Sequence, residues 1–123
     1  MNENIKSHKD LIVWQKSVEL SLIIYTLTEN FPQREIYALS SQLRRAAVSI
    51  PSNIAEGRAR HSRKDFSHFL HMSYGSSAEL ETQLLIACRM NFISEKQYRD
   101  ANSLLTEVSK MLRVMIQKLQ AGN

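Results

Sequence analysis

The stretch "SIPSNIAEGRAR", Ser49 to Arg60, decides how this chain is read. A proline stands inside a run whose apolar residues are otherwise spaced as on a helix. Ile36, Leu39, Leu43, Ala47, Ile50 and Ile54 recur at intervals of three and four and stay in phase across Pro51. Proline lacks an N–H, and its ring meets the carbonyl four residues back, here that of Ala47. Because the stripe resumes in phase, the spacing predicts one long helix from about Arg34, kinked near Pro51 rather than ended there. Ser52 or Asn53 is then expected to answer the backbone groups freed at the bend. Asn53 followed by Glu56 has the form of a local capping box, and Gly57 suits the helix C-terminus.

Outward from this stretch the periodicity stays helical. Tyr98, Ala101, Leu105, Val108, Leu112, Met115 and Leu119 form a heptad seam, and Ser94 with Gln97 writes its capping box. A second seam runs through Phe66, Leu70, Ser73, Ser77, Leu80, Leu84 and Ala87, with Ser62 and Asp65 as its start. "MNFIS" between them is a short turn, which makes these helices antiparallel neighbours. The first helix spans about Asp10 to Asn30 and ends at Pro32. It is apolar twice over: Leu11, Trp14, Val18, Leu22 and Tyr25 form one stripe, and Leu20, Ile24, Leu27 and Phe31 another. A helix apolar on two faces must bury both, whereas a small bundle covers one. Leu20, Ile24 and Leu27 are therefore expected to meet a second copy of the chain. The fold class predicted is all-α, an antiparallel up-and-down four-helix bundle over residues 10–120 behind a flexible segment 1–9.

Composition narrows the function. At 123 residues with 43% apolar content, the chain suits one domain with a real core. One cysteine, Cys88, forms no internal disulfide, which fits a reducing cytoplasm. The first ten residues carry no apolar segment of signal-peptide type, and no run reaches a membrane span. The net charge of +4 is concentrated: residues 34–64 hold seven basic and two acidic side chains, leaving −1 for the rest. Arg58, Arg60, Arg63 and Lys64 crowd the turn between the second and third helices, with Arg44 further back on the second. Repeated basic patches bind polyanions by displacing counterions, with little sequence readout.

The segments "DLIVWQKSVEL", "YTLTENFPQREIYALSSQLRRAAVSIPSNIAEGRAR" and "FLHMSYGSSAELETQL" together resemble the bacterial four-helix-bundle proteins encoded in 23S rRNA intervening sequences. The resemblance covers about Asp10 to Leu119. It implies an up-and-down bundle that assembles as a ring, typically a pentamer. The accessory protein of diversity-generating retroelements is similar, and it implies partners of two kinds: nucleic acid and a nucleic-acid-processing protein such as a reverse transcriptase.

Other chemistry is weakly written. Asp65, His68 and His71 have metal-ligand spacing, but the Glu-x-x-His half-sites of bundle di-metal centres are missing, so no metal is expected. Cys88 reads as a packed small hydrophobe. The small residues of "YGSSA", Tyr74 to Ala78, read as close helix approach rather than a cleft. A pair between Glu79 or Glu81 and Arg44 or Arg45 across helices is expected to be structural. The reading is a non-catalytic, cofactor-free homo-oligomer that binds RNA or DNA through its basic turn. The alternative is a protein–protein scaffold whose charge is incidental.

Overall fold

A computed structural model describes residues 6–122. The chain forms four long helices: α1 (Ile12–Thr28), α2 (Leu39–Ala59), α3 (Arg63–Arg89) and α4 (Glu95–Ala121). Each packs on its sequence neighbours, and α1 closes the square against α4. This is the antiparallel four-helix bundle that the short connections dictate. The expected flexible segment over 1–9 falls partly outside the described residues. Within them, Ser7 caps a 3-10 turn, His8–Asp10, through a capping box with Asp10.

Local signals place the helix starts. The Ser94 hydroxyl accepts from Gln97 N at 3.0 Å while Gln97 Oε1 accepts from Ser94 N at 2.8 Å. Ser62 Oγ accepts from Asp65 N at 3.0 Å and opens α3. Asn91, in the left-handed region at φ 62°, turns the chain between α3 and α4. The second helix begins later than its spacing suggests. Residues Gln33–Glu35 form a separate 3-10 turn, and Ile36 and Tyr37 stand exposed before α2 opens at Leu39.

Helix α2 continues through Pro51 to Ala59. Its lost hydrogen bond is answered from outside the helix. Ser21 Oγ of α1 donates to the Ala47 carbonyl at 3.1 Å, as well as to Ser17 O at 3.0 Å. Ser52 is exposed, and Asn53 Nδ2 donates back to Ser49 O and Ser49 Oγ at 2.9 Å each, a carbonyl in the turn before Pro51 but not that of Ala47. The Asn53–Glu56 capping box does not form, because the helix has no interruption there to cap. Glu56 pairs instead with Arg60 at 2.8 Å. Gly57 is not a helix terminus either. It is buried inside α2, where an added Cβ would lie 2.7 Å from Phe69 Cβ and 3.1 Å from Phe66 Cδ1. The missing side chain lets α3 approach the α2 backbone.

The core corrects the expectation for α1. Leu20, Ile24 and Leu27 are not free for a second copy; they are buried with Leu43, Ile50, Leu80, Leu84 and Leu112 inside the bundle. Of the other stripe, Leu11 and Trp14 pack half-buried against the core, and Leu22 and Tyr25 stand 65% and 43% exposed. Small residues behave unevenly in α3. Ser73 and Ser77 are buried at helix contacts, and Ser73 Oγ donates to Ile50 O at 2.9 Å. Gly75 faces outward, with nothing within 4 Å of where a Cβ would stand.

Candidate nucleic-acid interface

The connection between α2 and α3 occupies three residues, Arg60 to Ser62, and His61 reverses the chain at φ 63°. So tight a turn leaves cations at the end of α2 and the start of α3 close in space. Arg60, Arg63 and Lys64 are exposed and Arg58 is half-buried. Arg60 is steadied by Glu56 and lies over the Phe69 ring, 5.1 Å from its centroid. Arg63 Nη2 donates to the Leu119 carbonyl at 3.0 Å, satisfying an acceptor near the C-terminal end of α4. A cation is favoured there, since the last carbonyls of a helix carry partial negative charge.

Antiparallel topology adds cations that the linear charge count hides. The start of α1 and the end of α4 lie at the same end of the bundle as the α2–α3 turn, the 3-10 turn His8–Asp10 packs against α2, and Arg63 reaches Leu119. Lys9 and Lys118 therefore join Arg58, Arg60, Arg63 and Lys64 at one end. Lys118 could have been found beforehand by asking which helix terminus an up-and-down bundle sets beside the basic turn. Of the nearby carboxylates, Asp10 is occupied by the backbone N–H groups of Lys6 and Ser7 at 2.8 and 3.2 Å. Those bonds hold its carboxyl below the usual value of 3.8.

Arg44 does not belong to this set. It precedes Arg58 by fourteen residues on α2, which at the helical rise separates them by roughly 20 Å along the axis. Its Nε donates to Thr28 Oγ1 at 2.7 Å, and its guanidinium lies 4.7 Å from the Tyr25 ring centroid. Arg45 is exposed, and the expected cross-helix pair with Glu79 or Glu81 is not made: among the described residues none of Arg44, Arg45, Glu79 and Glu81 enters an ion pair.

The remaining candidates are accounted for by packing. His71 Nδ1 lies 2.9 Å from Ser67 O, His68 meets the edge of Phe69, and among the described residues no three His, Cys, Asp or Glu side chains gather. Cys88 is half-buried against the core, and burial pushes its thiol up, away from the reactive thiolate. No helix among the described residues is long and apolar enough to cross a membrane.

Comparison with known proteins agrees with this architecture. No match was found among curated proteins. A solved structure from Bacteroides thetaiotaomicron, a protein of unknown function from the S23 ribosomal protein family, superposes with a TM-score of 0.77 at 30% identity, covering 85% of this chain and 98% of its own. The family described as 23S rRNA-intervening sequence protein matches residues 9–114. With the bundle, the seams and the Pro51 block all in place, the chain belongs to the 23S rRNA-intervening sequence protein family.

Proposed function

We propose that this protein is a non-catalytic, cytoplasmic homo-oligomer, a pentameric ring by family resemblance, that binds RNA or DNA through the basic end of its bundle. One observation carries the nucleic-acid reading. Six cations, Lys9, Arg58, Arg60, Arg63, Lys64 and Lys118, come from four separate helix ends to one end of the fold. Charge gathered from distant parts of the chain makes a field broad enough for a phosphate backbone, and a ring multiplies it. Arg and Lys there contact phosphates, which fixes position without reading bases. A nucleic-acid-processing enzyme is the accompanying partner that the resemblance suggests. The scaffold alternative, in which such an enzyme docks without nucleic acid, draws on the exposed apolar surface of α1.

Fluorescence anisotropy with labelled single- and double-stranded RNA and DNA across a salt series tests the reading. Binding should weaken steeply with salt, and Arg58→Ala, Arg60→Ala and Lys64→Ala together should flatten the salt slope by roughly one unit per lost contact. Unrelated sequences should be affected alike. An intact oligomer that binds none of the probes at low salt overturns the reading in favour of the scaffold.

A further inference from the structure

Two opposite faces of the bundle carry exposed apolar side chains. Since α1 touches α2 and α4 but not α3, the α1–α2 face lies across the square from the α3–α4 face. The α1–α2 face holds an open groove lined by Tyr25, Ile36, Tyr37 and Val48, with Ser41, Arg44 and Arg45 among them. Tyr37 is 97% exposed, an extreme value for a large ring in a folded subunit. On the α3–α4 face the outward residues of α3 form a ridge: Tyr74, Ala78, Glu81 and Leu85 recur at helical spacing, all exposed. Beside that ridge sits Gly75. A glycine inside a helix costs about 1 kcal/mol relative to Ala, yet no atom of its own subunit uses the space.

The two faces match in charge and in height. Ser49 Oγ of α2 and Ser76 Oγ of α3 lie 2.8 Å apart and so mark one level along the bundle axis. Just over one turn further along each helix stand Arg44 and Arg45 on α2, and Glu81 of the ridge on α3. A copy displaced sideways, without sliding along the axis, therefore sets its α3 ridge against the α1–α2 groove. Its Glu81 carboxylate then comes level with the two arginines.

Building on the self-association proposed above, we infer that the groove of Tyr25, Ile36, Tyr37 and Val48 receives the Tyr74–Leu85 ridge of a second copy, head to tail. Each copy uses a different face for each neighbour. Such a heterologous contact closes into a ring where the rotation allows. The stripe of α1 that the monomer core leaves open is covered in this arrangement, and Gly75 gains the neighbour its missing side chain admits.

Two variants at exposed positions test it, each blocking one face. Tyr37→Asp disables the groove and keeps the ridge; Ala78→Glu disables the ridge and keeps the groove. In sedimentation velocity each should associate at least about a hundredfold more weakly than the unmodified protein, the scale of a lost interface hot spot, with helicity by circular dichroism unchanged. Mixed in equal amounts, they should form a one-to-one dimer and nothing larger, because one live groove meets one live ridge. Failure of the mixture to form that dimer, or variants that keep the full oligomer, overturns this interface. An unmodified protein that is monomeric at tens of micromolar refutes self-association itself. Loss of single-strand binding by Tyr37→Asp with oligomer size intact makes the groove a base-stacking surface instead.

Discussion

The two faces of α1 carry nearly the same chemistry and have opposite fates. Leu20, Ile24 and Leu27 face inward and are 9% exposed or less, while Leu22 and Tyr25, on the same helix, stand 65% and 43% exposed. Hydrophobicity does not separate them. What separates them is the company each side keeps. The inward face also carries Ser17 and Ser21, small enough to let α2 approach, and Ser21 supplies the hydrogen bond that the Pro51 segment of α2 needs. An apolar stripe interrupted by small hydroxyls at helix contacts belongs to the core. One ending beside the exposed Tyr37 and two arginines that enter no ion pair among the described residues stays in solvent on the single subunit.

The sharpest test of this contrast compares neighbours on α1. Leu20→Ala should destabilise the subunit by about 3 kcal/mol, the usual cost of emptying a well-packed core site. Leu22→Ala should stay within about 0.5 kcal/mol, as exposed substitutions do. Chemical denaturation of both variants at low protein concentration gives the comparison, and equal losses would dissolve it.

Next in size is the hydrogen bond across the proline. Ser21→Ala leaves the Ala47 carbonyl buried without a donor, a loss of about 2 kcal/mol. Pro51→Ala returns an N–H to that carbonyl. The penalty for Ser21→Ala should therefore shrink in the Pro51→Ala background, and a double-mutant cycle showing no coupling would refute Ser21 as the repairing group.

The same inward-against-outward contrast recurs at two glycines. At Gly57 an added methyl would press on Phe69 Cβ, close to the α3 backbone, so Gly57→Ala should cost about 1 kcal/mol even after its gain in helix propensity. At Gly75 the methyl meets open space. Gly75→Ala should raise subunit stability by about 0.5–1 kcal/mol when measured at dilutions where copies are separate. Thermal melts of the pair should move in opposite directions.

The smallest effect lies at the lead-in to α1. The Asp10 carboxylate, held by the Lys6 and Ser7 N–H groups, has its pKa lowered from 3.8. A depressed folded-state value means that its contribution is fully present above 3.8 and fades as pH falls through the lower folded value. Asp10→Asn should lower the melting temperature slightly at pH 6, and that difference should shrink as the pH falls below 3.8.

Much of this architecture was legible in sequence because it is local. The Ser94–Gln97 box, the Ser62 cap and the heptad seams of α3 and α4 depend on groups within a turn or two of each other, and each stands where spacing put it. Continuity of α2 through Pro51 was legible too, since the apolar stripe kept its phase. The repair of that proline was not, because the donor is Ser21, twenty-six residues from its acceptor Ala47. The basic turn could be read as a charge run. Its enlargement by Lys9 and Lys118, and the departure of Arg44, depend on which helix ends share one end of the square.

Sequence by itself determined the helix periods, the capped starts of α3 and α4, the tight turns and hence the antiparallel order, since these follow from propensity and from contacts along one chain. Only the tertiary structure decided which stripe of α1 is core and why Gly57 is small. It also left Arg45 and Glu79 without the partner expected across α2 and α3. Each of those outcomes is set by what packs across a helix interface, and a one-dimensional pattern records a surface's polarity without recording what lies opposite.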